Sequence, residues 1–313
     1  MRLDPVMWLS QWAQAGQIKF MTKSIEDYSE ILQLEEPLSR HTWLRLGGPA
    51  QYFLTPRTEE ELLSVVQTCR EQKIPIHILG AGSNLLVRDE GVRGAVIRVI
   101  EPLLSEVRVE GTQVIAGGGT LLSHMITEAV RSGLGGVEHL VGIPGTIAGA
   151  IVGNSGGRAG DIGQLASSVK VLTQDGEIAI RKGDELSFSY RCSSFQDLLV
   201  LSVTLSLTKD DTEELNRRIR KNWIMKRSTQ PLADQSAGCI FRNPRGLSAG
   251  ALIEQCGLKG MSVGKARISD RHANFIVTEA GATSHDIEQL ISRIRKSVAE
   301  KYAVDLELEI KVW

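Results

Sequence analysis

No apolar run in this 313-residue chain approaches the ~18 residues that a membrane-spanning helix needs, which excludes a bilayer span. Near the N-terminus the apolar stretch Val6–Leu9 is too short for the core of a secretion signal, so the cytosol is the expected compartment. Excess charge is also missing: 36 Lys and Arg face 37 Asp and Glu, for a formal net charge of −1. Nucleic-acid binding driven by counterion release is therefore not expected as a primary role. The four cysteines, Cys69, Cys192, Cys239 and Cys256, form no CxxC pair, and the six histidines do not gather round them, so no metal site is expected.

Both common nucleotide loops are absent. Gly80-Ala81-Gly82-Ser83-Asn84-Leu85 follows a strand-like run, but Leu85 stands where a dinucleotide fingerprint needs glycine. The residues after it lack the helical periodicity that would set a helix N-terminus against a pyrophosphate. Gly264-Lys265-Ala266 lacks the rest of a P-loop.

Glycine is abundant, at 31 residues against an ordinary ~7%. It clusters at 80–94, 111–119, 133–163 and 246–264 without period. The pattern fits either backbone brought close to a ligand or tight turns between short strands. Gly142-Ile143-Pro144-Gly145-Thr146 leads into Asn154, Gly156 and Gly157, offering many N–H groups with little side-chain bulk. Two such loops from different units can enclose a phosphate-bearing cofactor without a helix dipole.

Residues 1–36 read as a helical extension, with Trp8 and Trp12 four apart. A first unit spans 37–100. In it Thr58 and Glu61 make a capping box for a helix over 59–72, and Leu62, Val65, Val66 and Cys69 form its buried stripe. A strand-rich second unit spans 101–209, with Asp175-Gly176 as the turn of a hairpin and clean alternation over Leu199–Leu207. A third unit, 210–303, opens with a charged helix. It ends in a helix over 284–302 whose apolar face is Ile287, Leu290, Ile291, Ile294 and Val298. The tail 304–313 alternates as a strand returning to the first unit, with Glu307, Glu309 and Lys311 facing outward. The fold class is α+β with more than one sheet.

In this order and spacing, several motifs resemble the UDP-N-acetylenolpyruvoylglucosamine reductase family from about Pro37 onward. They are His41-Thr42-Trp43 with Gly47-Gly48, Gly80–Asn84, Gly142–Thr146, Ser189-Tyr190-Arg191 and Ser236-Ala237-Gly238-Cys239 with Asn243-Pro244. Gly257-Leu258-Lys259-Gly260, His272-Ala273-Asn274-Phe275 and Glu309-Ile310-Lys311 complete the series. The resemblance, to the family's shorter subtype, implies a two-part FAD-binding region of the vanillyl-alcohol-oxidase (PCMH) type and a C-terminal α/β substrate-binding domain. It further implies non-covalent FAD held by Gly80, Ala81, Gly82, Ser83, Asn84 and Leu85 with Gly142, Ile143, Pro144, Gly145 and Thr146, and with Asn154, Gly156 and Gly157 nearby. NADPH is the implied co-substrate. The implied reaction turns UDP-N-acetylglucosamine enolpyruvate into UDP-N-acetylmuramate, in peptidoglycan precursor synthesis, by a monomer.

By the same resemblance Arg191 faces the substrate carboxylate, Glu309 assists it, and Cys239 donates a proton where the family commonly has serine. Tyr190, Asn243 and Lys311 are implied substrate contacts. Plainer readings stand beside these. Cys239 is also the kind of small residue that fills a core, and Ser236 is a second candidate donor. Glu309 alternates with Glu307 on what reads as a solvated face, and only the family register selects it. An oxidase of an alcohol or sugar on the same scaffold, or a non-catalytic flavin- or UDP-sugar-binding relative, are the alternative functions.

Overall fold

The computed structural model describes residues 23–157 and 159–313, so the helix expected around Trp8 and Trp12 lies outside the described residues. The first sheet has the order Leu32–Pro37, Pro49–Leu54, Val92–Arg98, Ile76–Leu79. Its first pair is antiparallel and the other two are parallel. Helix α1, Glu59–Glu71, begins at Thr58, whose hydroxyl accepts from the Glu61 N–H, and it buries Leu62, Val65, Val66 and Cys69. The Glu61 carboxylate accepts from Arg57 N rather than Thr58 N, so the expected capping box is half made, but the helix and its buried stripe match the sequence expectation. The start of the unit does not: Ile25, Tyr28 and Ile31 are already in its core, and Leu32–Pro37 is its edge strand. The turn Ile25–Tyr28 and the strand after it are too short to sustain a periodic signal there.

The second sheet is antiparallel, in the order Ile178–Lys182, Ala166–Leu172, Leu199–Ser206, Gln113–Gly117, Val107–Glu110. Gly176 takes the positive φ of +79° that its hairpin turn requires. Helices α2, Leu122–Arg131, and α3, Ile147–Val152, share this sheet's apolar core. The short α3, opened by Thr146, was not expected after the second glycine loop.

Helix α4, Thr212–Thr229, also belongs here rather than to the third unit. Leu215 and Ile219 pack into the second core, and no α4 residue enters the third. Polar groups a turn apart complete its attachment. Arg218 pairs with Glu138 at 2.8 Å, Asn222 Nδ2 donates to the Glu138 carbonyl, and Lys226 Nζ donates to the Val141 carbonyl at 2.6 Å. With one fully buried residue and many charges, the helix carried too little pattern to name its partner.

The third unit is an antiparallel sheet, Gln235–Cys239, Phe275–Thr278, Ala266–Ile268, Ser262–Val263, under α5, Ala249–Gln255, and α6, Ser284–Tyr302. The expected face of α6 is buried. The tail keeps its alternation, with Leu306 and Ile310 buried, but only Lys311–Val312 is strand. It changes partner midway, which breaks the ladder. Glu307 O accepts from Arg242 N and Glu309 N donates to Ile240 O, both in the third unit. Lys311 N then donates to Asn84 O, and Lys311–Val312 runs parallel to Leu85–Leu86 of the first unit. Glu309 sits at that crossing.

Candidate active site

The crossing brings Glu309 to the first glycine loop. Asn84 Nδ2 donates to the Glu309 carbonyl at 3.2 Å while the Glu309 N–H is held by Ile240 at 2.8 Å. With both main-chain groups fixed, the side chain points back to Arg191, whose Nε donates to Oε1 at 2.8 Å. Only 20% of the Glu309 side chain is exposed, so it is not on a solvated face.

Arg191 occupies the turn between Phe188–Ser189 and Cys192–Ser193 with a left-handed φ of +56°. Such a conformation costs on the order of 1–2 kcal/mol in a residue other than glycine and must be held from outside. Asn154, buried behind the turn, supplies much of that hold: Nδ2 donates to Ser189 O at 2.8 Å and Oδ1 accepts from Gly163 N at 3.0 Å. From the third unit, Arg242 Nη2 donates to the Arg191 carbonyl, and the Tyr190 hydroxyl accepts from Asn243 N. Asn154 and Gly156 thus lie against Arg191. One end of the Asn154 amide is engaged at the turn and the other at Gly163, and the Gly156 carbonyl accepts from Arg191 Nη2 at 2.8 Å.

Cys239 closes the group. Its strand carries a bulge between Ser236 and Cys239, which the positive φ of Gly238, +77°, permits. The thiol meets the Asn274 side chain and feels both Glu309 and Arg191. Burial pushes its pKa up to about 12, Glu309 adds to the push, and Arg191 opposes it. Burial likewise raises Glu309 above the ordinary carboxyl range against the pull of Arg191. Ser236 is buried on the strand, paired with Val277. Lys311 has an exposed side chain, and Asn243 Oδ1 accepts from Ala249 N at the start of α5.

Several neighbours were not foreseen. Lys226 is lowered to about 8, first by burial and then by Arg191. Asp161 Oδ1 lies 3.3 Å from Arg191 Nη1. Asn274 grips the main chain of Phe241 at both ends of its amide, 3.0 Å and 2.8 Å. Lys226 was hidden in an apparently solvated helix. Asp161 follows a glycine run that gave it no context, whereas Asn274 stood in a recognised motif without an assigned task.

Glu309 sets an expected pH dependence. A carboxyl raised by burial adds stability while protonated, below its unfolded value of 4.5, and loses it as pH rises through the folded value. Glu309→Gln should therefore gain in Tm relative to the parent between pH 4.5 and neutrality. Paired thermal melts check this, and a shrinking difference contradicts it.

The two glycine loops face one another. Ser83 Oγ donates to Pro144 O at 3.2 Å, and a Cβ at Gly80 would stand 2.8 Å from Thr146 Oγ1. The N–H groups of Ala81, Gly82, Ser83, Asn84, Gly145 and Thr146 donate to no acceptor among the described residues. Free donors on two opposed, side-chain-poor loops suit the diphosphate of a dinucleotide such as FAD. No cluster able to hold a metal ion occurs among the described residues.

Gly82 tests this cradle. It has φ +64°, and a Cβ would stand 2.1 Å from His41 O, so Gly82→Ala must shift the loop. Flavin affinity should fall by at least about ten-fold, the effect of misplacing one or two charge-assisted hydrogen bonds. Gly183→Ala, which has a similar φ but nothing within 4 Å, is the matched control and should keep its flavin. The ratio of flavin to protein absorbance decides between them.

Comparison with known proteins adds to this geometry. A model described as FAD binding domain matches residues 50–180, a span that includes both glycine loops. The model for the C-terminal domain of UDP-N-acetylenolpyruvoylglucosamine reductase matches 230–313, beginning where α4 ends. A protein of that name from Moorella thermoacetica is 46% identical over 279 residues, covering 89% of this chain and 92% of its own length. One from Clostridium botulinum is 40% identical over 281 residues, covering 89% and 91%. The crystal structure of the Thermus caldophilus reductase is 39% identical, with a TM-score of 0.77, and covers 90% of this chain and 99% of that one.

Proposed function

This chain belongs to the UDP-N-acetylenolpyruvoylglucosamine reductase family and is an FAD-dependent oxidoreductase, and on that premise we propose that it uses NADPH to reduce UDP-N-acetylglucosamine enolpyruvate to UDP-N-acetylmuramate for peptidoglycan precursor synthesis. The observation that carries this reading is the 2.8 Å contact of Arg191 with Glu309, with the Cys239 thiol within the field of both. It suits addition of H⁻ and H⁺ across an alkene conjugated to a carboxylate.

FAD supplies the two-electron chemistry that no side chain provides. The chain supplies the rest. Arg191 takes the substrate carboxylate and holds the negative charge that grows on it as the double bond is reduced. Glu309 keeps Arg191 in place. Cys239 delivers a proton to the carbon beside the carboxylate. Burial keeps that proton on sulfur at neutral pH, and Arg191 then stabilises the thiolate left behind. Tyr190, Asn243 and Lys311 are the candidate contacts to the remainder of the sugar nucleotide.

Turnover measurements test the reading. NADPH consumption should depend on the enolpyruvyl sugar nucleotide and proceed without oxygen. Oxygen-driven turnover with a free sugar or alcohol, and no response to the sugar nucleotide, would replace the proposal with an oxidase.

A further inference from the structure

The Arg191 guanidinium is already heavily engaged. Nε donates to Glu309 at 2.8 Å, Nη2 to the Gly156 carbonyl at 2.8 Å, and Nη1 to Asp161 at 3.3 Å and the Asn154 carbonyl at 3.5 Å. A guanidinium has five N–H donors in a planar fork, and these contacts leave a single one over. The fork expected to grip a substrate carboxylate is therefore not free. One cation lies between two carboxylates, with the Arg191, Asp161 and Glu309 side chains 18%, 23% and 20% exposed.

The partners are not equally secure. Glu309 is fixed through both of its main-chain groups, and the Gly156 contact is to backbone. Both contacts of Nη1 are long, towards the weak end of the hydrogen-bond range. Asp161 reaches Nη1 from a hairpin of only two residue pairs, Gly160 with Gly157 and Asp161 with Gly156. Its carboxylate has no other hydrogen bond or ion pair among the described residues. Residue 156 accommodates it by being glycine, since a Cβ there would stand 2.1 Å from Asp161 Oδ1.

The geometry points to Asp161 as a stand-in for the substrate carboxylate: it occupies Nη1 of Arg191 in the free enzyme and is displaced when the enolpyruvyl carboxylate binds. The inference rests on the proposed reading of Arg191 as the carboxylate-binding residue. Exchange keeps two carboxylates on the guanidinium in both states. Adding a third beside Glu309 and Asp161 would set like charges together in a part-buried site, which disfavours binding. Asp161 is thus a positioning and specificity residue. A ligand must bring a carboxylate to displace it, and the product, which carries the same carboxylate, is released against its return.

The test uses the oxidised holoenzyme and the flavin absorbance change on titration with two ligands. UDP-N-acetylmuramate carries the carboxylate, and UDP-N-acetylglucosamine does not. Asp161→Asn should bind UDP-N-acetylmuramate about ten-fold tighter, the value of one charge-assisted hydrogen bond no longer competed for. Affinity for UDP-N-acetylglucosamine should stay where it was. Asp161→Ser, which also removes the competing charge, should shift the same way. Weaker binding of UDP-N-acetylmuramate, an equal effect on both ligands, or loss of flavin in both variants would overturn the inference and leave Asp161 as scaffold. Arg191→Gln separates the two levels. If the preference for the carboxylate ligand survives in it, the reading of Arg191 fails and takes the inference with it. If the preference vanishes but the Asp161 variants do not tighten, the inference alone fails.

Discussion

Replacing Arg191 with methionine is expected to lower kcat/KM for the enolpyruvyl sugar nucleotide by about 10³-fold, the effect of removing a preorganised donor aimed at developing negative charge. Two consequences come from the surroundings. Glu309 and Asp161, which Arg191 separates at 2.8 Å and 3.3 Å, lose their shared cation. Glu309, raised by burial against the pull of that cation, should then stay protonated to higher pH. Arg191→Lys keeps a charge but not the fork that meets Glu309, Gly156 and Asp161 at once, and should recover only a small part of the loss. Flavin content should be retained in both variants, because the guanidinium bonds to neither Gly80–Leu85 nor Gly142–Thr146. Rapid mixing of oxidised enzyme with NADPH checks the selectivity. That half-reaction should change far less than the one with the sugar nucleotide, and equal losses would assign Arg191 to the scaffold.

Cys239→Ala is expected to slow reduction of the sugar nucleotide by about 10²–10⁴-fold, the range of general acid–base groups, while leaving flavin reduction by NADPH nearly intact. The thiol is held protonated, with a pKa of about 12, so a proton is present at neutral pH for a carbon to take. It also stands beside the cation that stabilises its conjugate base. Cys239→Ser keeps a proton-bearing atom in the same place and should recover much of the lost rate. A second measurement guards against a packing effect: Cys239→Ala should melt within a few degrees of the parent, because the change removes a single atom. If serine recovers nothing, or if both half-reactions fall together, the proton-donor role is wrong.

Local chemistry was legible in the sequence where one residue type has one physical use. Thr58 and Glu61 announced the start of α1, Asp175-Gly176 announced a hairpin, and the 3.6-residue spacing from Ile287 to Val298 announced the buried face of α6. The glycine loops were visible as loops, but their opposition across Ser83 and Pro144 depends on contacts 61 residues apart, which no local pattern carries. α4 was placed in the wrong unit because its attachment is polar: Arg218, Asn222 and Lys226 look like any solvated charges until Glu138 and Val141 are found beneath them.

The site was legible by register and not by environment. The tail's alternation makes Glu309 look solvated, and only the switch of pairing partner at that residue turns it inward to Arg191. The left-handed turn at Arg191 and the bulge at Gly238 are departures from regular strand geometry, which period-2 reasoning smooths over. Asn154 was grouped with the cofactor by the family resemblance. Its side chain also holds the Arg191 turn, so Asn154→Ala should reduce sugar-nucleotide turnover more than it reduces flavin content.

Anaerobic mixing of the purified flavoprotein, first with NADPH and then with the enolpyruvyl sugar nucleotide, tests the central claim most directly. Flavin absorbance should bleach on the first addition and return on the second, with UDP-N-acetylmuramate formed in step with the return. A bleached enzyme that stays bleached until oxygen is admitted would contradict the account.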